Sequence, residues 1–319
     1  MRICVPEASE WNLHDSLASV YASGVDRFLT DRSILMKISR GGTDMQATCS
    51  LCPRHCRLSE GQTGFCRARR NQGGRIVSIN YGKLASLALD PIDKKPLARF
   101  HPGSFILSAG SFGCNLRCPF CQNYEISQAD EKFPVQEISP EGLVRLAVDF
   151  SHKAMGNLGI AFTYNEPLIS FEFVRDTAKL LRQEGLSAVL VTNGMIEEEP
   201  LRELLPYIDA MNIDLKAFSE EFYRWVKGDF AAVRRTIAMA VEACHVEVTT
   251  LVVPGKNDSL EEMEAEAEWL SSLDPDLVLH ISRYFPRWQM EEPATDIGRI
   301  QELCRVARRY LKYVYTGNC

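Results

Sequence analysis

Phe105-Ile106-Leu107-Ser108-Ala109-Gly110-Ser111-Phe112-Gly113-Cys114-Asn115-Leu116-Arg117-Cys118-Pro119-Phe120-Cys121-Gln122-Asn123 carries a short apolar run straight into three closely spaced cysteines. The run at 105–109 reads as a buried strand, and the cysteines stand in the loop that follows it. Similar β-rich runs recur at 158–163, 187–192, 209–214, 246–253 and 277–282. Helical patterns lie between them, near 140–153, 169–184, 197–205, 230–243, 259–272 and 296–311. Such alternation predicts an α/β fold of parallel strands joined by right-handed helical crossovers. Six units are too few for a closed eight-fold barrel, which leaves an open (β/α)6 barrel and a doubly wound sheet. In both, ligands gather at the C-terminal ends of the strands. The cysteine loop sits at such an end.

Upstream of this body the texture differs. Residues 1–45 mix apolar and polar positions (Trp11, Leu13, Leu17, Val20, Tyr21, Phe28, Leu29) at helical spacing and predict a helical extension. Residues 46–100 form a cysteine- and glycine-rich segment with little periodicity, and 101–319 the α/β body. The N-terminus, MRICVPEASEW, has no apolar core behind a basic start, so neither a secretory signal nor a membrane span is expected, and the chain is placed in the cytoplasm. A net charge of −6 argues against a general nucleic-acid binder.

Eleven cysteines in a chain without an export signal point to metal or redox work rather than disulfides. Seven fall into two groups: Cys49, Cys52, Cys56 and Cys66, then Cys114, Cys118 and Cys121. The triplet C-x3-C-x2-C offers three thiolates to one iron–sulfur cluster and leaves an iron open for a cofactor or substrate. Zinc would call for a fourth ligand nearby, and none follows in the loop. The first group, C-x2-C-x3-C-x9-C, supplies four soft ligands, with Gly61 and Gly64 letting the chain turn back. It predicts a second metal site; the complete set favours structural zinc, although an iron–sulfur cluster uses the same ligands. His55 is read as a solvated imidazole rather than a substitute ligand. Arg67, Arg69, Arg70 and Arg75 are read as a solvated charged face, with docking of an acidic electron donor as the alternative.

The triplet, with Phe120 ahead of its last cysteine, resembles the signature of the radical S-adenosylmethionine (SAM) superfamily. GCNLRCPFCQN resembles the glycyl-radical-enzyme activase branch, which includes pyruvate formate-lyase activating enzymes. The stretch from CSLCPRHC through DPIDKKPLARFHPGS to CQNYEIS is similar to the AmmeMemoRadiSam system radical SAM enzymes. The resemblance runs from about residue 49 to the C-terminus. It implies a partial (β/α)6 TIM-like barrel, a [4Fe–4S] cluster on Cys114, Cys118 and Cys121, and SAM as cofactor. It implies reductive cleavage of SAM to methionine and a 5′-deoxyadenosyl radical, which abstracts hydrogen from an unidentified small-molecule or protein/peptide substrate. The electron would come from a donor such as flavodoxin or ferredoxin. A protein-backbone activase and a non-catalytic metal-binding or electron-transfer protein are the alternatives.

The other strand ends are read against the groups that SAM presents. Glu166 is expected to accept from the cofactor's ammonium, with Asn165 either beside it or capping the helix at 168–184. Thr192 and Asn193 end the third strand and are expected in the same pocket. Asp214 and Lys216 share a face of the fourth strand and, by resemblance, meet the carboxylate and ribose. Val253 offers backbone and apolar surface to the adenine, with Phe120 on its other side. His280 is assigned to the pocket too, a plain structural hydrogen-bonder being the alternative.

Overall fold

Eight strands make the main sheet in the order in which the chain forms them. They are β1 (Ser86–Pro91), β2 (Phe105–Gly110), β3 (Gly159–Phe162), β4 (Ser187–Thr192), β5 (Ala210–Asp214), β6 (His245–Val252), β7 (Val278–Arg283) and β8 (Tyr313–Gly317). From β2 to β8 every pairing is parallel, and β1 joins β2 antiparallel with Ser86 opposite Gly110. A doubly wound sheet must reverse its strand order once. No reversal occurs here, so the sheet curls around one face into a partial barrel. Helices α1 (Pro140–Ser151), α2 (Phe171–Gln183), α3 (Glu198–Leu204), α4 (Phe230–Val241), α5 (Leu260–Leu273) and α6 (Ile297–Ala307) make the crossovers. Ser139, Asp229, Ser259 and Asp296 start four of them, each side chain accepting from the backbone N–H three residues on.

This computed structural model describes residues 45–319, which belong to one compact unit. The helical extension expected over 1–45 lies, but for Met45, outside the described residues. Among the described residues no helix is long and apolar enough to cross a membrane.

Strand alternation divides the apolar residues between two cores. Leu107, Ile160, Leu190, Met211, Val248 and Leu279 belong to the large core that contains the helices' buried residues. The facing set, Ile106, Ala161, Val189 and Ala210, packs instead on Ile92 and Leu97. Residues 92–100 therefore enter the bore and plug its lower half. Plugging buries backbone groups that need partners. Asn212 donates to the Pro96 carbonyl at 2.9 Å, and Glu247 accepts from the N–H groups of Ala98 and Arg99 at 2.9 and 2.7 Å. This corrects the expected division at residue 100. β1 and the plug belong to the barrel, because hydrogen bonding to β2 and bore packing bind them there.

The cysteine-rich segment is built from two small ladders, Ala47–Thr48 on Arg57–Leu58 and Arg69–Gln72 on Arg75–Ser78. Gly73-Gly74 makes the second turn with both φ angles positive, as a tight two-residue hairpin requires. Fully buried Asn71 ties the segment together, donating to the carbonyls of Met45 and Leu58 at 2.6 and 2.8 Å. The reading of a solvated arginine face fails at Arg69, whereas Arg75 is exposed. Arg69 is buried against Glu172 in a two-pronged pair at 2.7 Å, and Arg70 pairs with Glu131 at 2.7 Å. Exposed His55 lies 3.0 Å from Glu197.

Behind β6, Glu266 of α5 is 1% exposed and sits 2.5 Å from the Thr250 hydroxyl. That hydroxyl is also 3.0 Å from the Leu215 carbonyl. It donates to Glu266, and burial pushes this carboxyl up to about 8 despite that donor. The folded chain then keeps a proton that the unfolded chain releases above about pH 4.3, so stability falls as pH rises from there toward 8. Glu266→Gln should flatten this dependence and stabilise the protein by up to about 4 kcal/mol at pH 7.5. Denaturant unfolding of both proteins at pH 5 and 7.5 checks it. Equal pH slopes would show that Glu266 is ionised in the fold.

Candidate active site

After β2 the chain turns at Gly113 with φ 90° and presents Cys114, Cys118 and Cys121. Side chains from distant elements hold this loop. Asn165 accepts from Ser111 N–H at 2.9 Å and donates to the Gly113 carbonyl at 3.0 Å. Asn115 donates to the Met195 carbonyl at 2.7 Å, and Arg117 to the Cys114 and Leu116 carbonyls at 2.8 and 2.7 Å. The Cys114 sulfur accepts from Leu116 N–H at 3.3 Å and from the Asn193 amide at 3.7 Å; the Cys121 sulfur lies 3.1 Å from the Ser127 hydroxyl.

A cavity of about 780 Å³ opens at these strand ends, within the range of ligand sites. The three cysteines, Phe120, Asn165, Glu166, Thr192, Asn193, Asp214, Lys216 and His280 all line it. Val253 does not. Its N–H donates to the Asn257 side chain at 2.7 Å and its carbonyl accepts from Lys256, so the chain folds back beyond β6 and Leu251 is left facing the cavity. Phe120, 3% exposed, packs on Phe222 and Trp225 with centroids 6.0 and 5.6 Å apart.

The capping role considered for Asn165 falls to Glu166. Asn165 pins the cysteine loop, whereas Glu166 caps the turn at Pro167–Ser170, accepting from Leu168 N–H at 2.9 Å. The same carboxylate accepts from the Thr192 hydroxyl at 2.6 Å and Asn193 N–H at 2.8 Å, tying the end of β4 to that of β3. Burial pushes Glu166 up to about 7 despite these donors, with Asp214 adding to the effect. Lys216 donates to Asp214 at 2.7 Å. Burial works against its charge, but Asp214 and the nearby Cys118 sulfur outweigh it and hold the lysine pKa above its ordinary value. His280 lies 2.6 Å from Glu247 and stacks on Tyr315 at 5.5 Å, which favours the structural reading of this histidine. Burial alone would raise Glu247, yet His245, His280 and two backbone donors bring it down to about 2.

Sequence reasoning passed over one wall. Asp90 at the end of β1 accepts from Lys95 at 2.8 Å and from the Tyr164 hydroxyl at 2.6 Å, and all three line the cavity. Burial opposes its charge, but these donors hold Asp90 at about 2. Tyr164 keeps φ 71°, a conformation natural to glycine.

The donor set fits the implied cofactors. The three cysteines are free thiols, and burial pushes Cys114 up and Cys118 up to about 12, the latter against the pull of Lys216, so these two thiolates need a metal's charge. Among the described residues no three His, Cys, Asp or Glu side chains gather closely enough to hold one metal ion. A four-iron cluster takes each thiolate on a separate iron, so the triplet suits a cluster better than a lone zinc. The same finding counts against the single zinc expected at Cys49, Cys52, Cys56 and Cys66. For SAM, the cavity joins charged groups, Asp214 and Lys216, to the apolar Phe120 and Leu251.

The Radical SAM superfamily matches residues 110–270, half of the chain. An uncharacterized protein of Methanocaldococcus jannaschii is 38% identical over 280 residues, covering 86% of this chain and 82% of that one. The pyruvate formate-lyase 1-activating enzyme of Escherichia coli K12 is 29% identical over 46% of this chain and 60% of its own length, so the match spans less than two thirds of that relative. Streptococcus suis SuiB bound to S-adenosylmethionine superposes with a TM-score of 0.52 at 14% identity, covering 66% of this chain and 49% of that one, a likeness of fold. Family membership implies a [4Fe–4S] cluster, SAM and oxidoreductase-type chemistry. In strand order, in its cysteine loop after the first parallel strand, and in the family it matches, the chain belongs to the Radical SAM superfamily.

Proposed function

We propose that this chain cleaves SAM at a cluster ligated by Cys114, Cys118 and Cys121 and turns the resulting reactivity on a polar small molecule or peptide. The observation that carries the reading is the meeting of the three cysteines with Glu166, Asp214, Lys216 and Phe120 in one cavity. When bound, cluster and SAM supply one-electron cleavage of the sulfonium C–S bond and hydrogen-atom abstraction. The chain's own residues position and shield. Lys216 offers a cation to the methionyl carboxylate, and Asp214 a carboxylate to the ribose hydroxyls. Phe120 and Leu251 flank the adenine. Glu166 holds Thr192 and Asn193 in place and keeps one face of its carboxylate toward the cavity for the ammonium. Asp90, Lys95 and Tyr164 supply a polar wall for the substrate, and the plug at 92–100 closes the bore beneath it.

Anaerobically reconstituted protein given SAM and dithionite should form 5′-deoxyadenosine. A cluster-loaded chain that forms none would overturn the reading and leave a binding or electron-transfer protein. Asp214→Ala should weaken SAM binding by about 1.5–3 kcal/mol through loss of a charge-assisted hydrogen bond. Glu166→Ala should weaken it at least as much, because three donors lose their acceptor. Equilibrium SAM titration beside iron counting checks both variants; unchanged affinity in the two would place the cofactor elsewhere.

The likeness to activating enzymes favours a second reading, in which the substrate is the backbone of a glycyl-radical protein and reduced flavodoxin or ferredoxin is the electron donor. Affinity capture with the full chain distinguishes the two. Recovery of a large glycyl-radical protein, followed by a glycyl EPR signal on incubation with SAM, supports the activase.

A further inference from the structure

We propose that Cys49, Cys52, Cys56 and Cys66 hold a second four-iron, four-sulfide cluster, which takes up the electron consumed at the catalytic loop. The electron role rests on the radical SAM reading above. The site itself does not.

All four cysteines line one small cavity, walled by Leu51, Leu58 and Ile169. Each is a free thiol, and Cys49, Cys52 and Cys66 are buried. Nothing else in this segment explains four thiols turned toward a common space. Its large apolar residues are few, so a bound group would supply the ordering that burial does not.

Arg69 gives an independent sign of a ligand. It lines the same cavity and is 7% exposed. Its two terminal nitrogens are spent on Glu172, while the Nε–H is buried without a partner. A buried donor left unsatisfied is costly, and native folds rarely keep one without reason. Thiolate-ligated cluster sulfur accepts hydrogen bonds, and such bonds tune cluster potentials. A cluster in the cavity would give the Nε–H its acceptor.

The arrangement of the thiols favours a cluster over a single ion. Tetrahedral zinc draws four sulfurs to about 2.3 Å from one point. Among the described residues no such gathering exists, for this group or for the catalytic triplet. A cubane keeps its thiolates apart, one on each iron, and four cysteines complete its coordination. The second cluster would thus be closed to substrates and suited to passing electrons.

Its place in the fold agrees. A Cβ placed on Gly113, next to Cys114, would overlap the Cys66 carbonyl, so the two loops meet closely there. Arg54 donates to the Asn115 carbonyl at 2.9 Å, and Arg117 bonds the carbonyls of Phe65 and Cys114. Both guanidinium groups lie over the Phe65 ring, 3.6 and 3.9 Å from its centroid. The two cysteine sets are therefore bolted together. The outer set also reaches the surface, where His55 is exposed and Cys56 half-buried. One electron from a low-potential donor such as reduced flavodoxin would reduce the outer cluster from 2+ to 1+. Passing that electron inward returns it to 2+, with no proton or bond changed.

The test uses the full chain lacking the triplet, Cys114→Ala/Cys118→Ala/Cys121→Ala, reconstituted anaerobically. About four irons and four sulfides per chain are expected, with a cluster EPR signal after dithionite. Stoichiometric zinc, or a metal-free folded chain, would overturn the site. Should the triple variant fail to fold, the native chain decides: about eight irons support the proposal and about four overturn it. Arg69→Gln should shift the outer cluster's potential, and an unmoved potential removes Arg69 from the site. For the electron role, Cys52→Ala/Cys66→Ala should lower 5′-deoxyadenosine formation at least about tenfold more with reduced flavodoxin than with dithionite. Equal losses with both reductants, or none with flavodoxin, would overturn that role. A native chain inactive with either reductant would instead mark failure of the radical SAM reading, leaving the iron count at the outer site intact.

Discussion

Cys118→Ala should leave a folded chain that forms no measurable 5′-deoxyadenosine, a loss of at least about a thousandfold, because the cofactor carries the chemistry and no other protein group supplies it. The loop does not depend on this thiol for its shape. Its turn is held through the backbone, Cys121 N–H donating to the Cys118 carbonyl at 3.1 Å, and through Asn165, Asn115 and Arg117. Removing one buried sulfur leaves a small void, so the stability cost should be on the order of 1 kcal/mol. Deoxyadenosine formation measured beside circular dichroism and iron content separates the two effects. A variant that stays folded, loses iron and loses turnover supports the assignment. Turnover near the native rate would mean that another set of ligands holds the catalytic cluster.

Gly113→Ala should destabilise the protein by about 3 kcal/mol or more and strip the catalytic loop of iron. Two costs combine at this position. The backbone has φ 90°, outside the range an L side chain adopts easily. A Cβ would also overlap the Cys66 carbonyl and stand 3.1 Å from Ile169 Cδ1. The carbonyl is backbone and cannot swing aside, so the cysteine loop or the neighbouring segment must move. Gly61→Ala is the control, since its φ of 75° carries similar strain but a Cβ there meets nothing within 4 Å. That variant should lose only about 1 kcal/mol. Denaturant unfolding of both, with iron counting, checks the comparison. Equal losses would assign the Gly113 effect to φ alone.

The main architecture could be read from the chain because its causes are local. Alternation in 187–192 put Ala188 and Leu190 outward among the helices and Val189 and Val191 inward. Cap residues such as Ser139 and Asp229 stand beside the helices they start. β1 and β8 went unread for different reasons. Tyr313-Val314-Tyr315-Thr316 carries an ordinary β signal that lay beyond the last counted unit. Ser86–Pro91 ends in proline and carries Asp90, both poor strand formers, and is held by pairing with β2 at the sheet edge.

What the sequence by itself determined is the chemistry on offer: three thiolates in one short loop, four in another, and a run of parallel strands whose ends must carry the site. Those facts depend on residue type and short spacing, which survive without knowledge of the fold. Tertiary structure alone decided the partners. Asn165 turned to the cysteine loop because the chain after β2 lies beside it, and Glu166 joined its own capping turn to the end of β4. Val253 left the cavity because Asn257 drew the chain back. The barrel bore was filled from residues 92–100, which no periodicity announces, since a plug is set by the shape of the space it enters and by distant side chains such as Asn212 and Glu247 that receive its backbone. Asp90, Lys95 and Tyr164 became a wall of the site through contacts spanning up to 74 residues, a separation over which only the fold can bring them together.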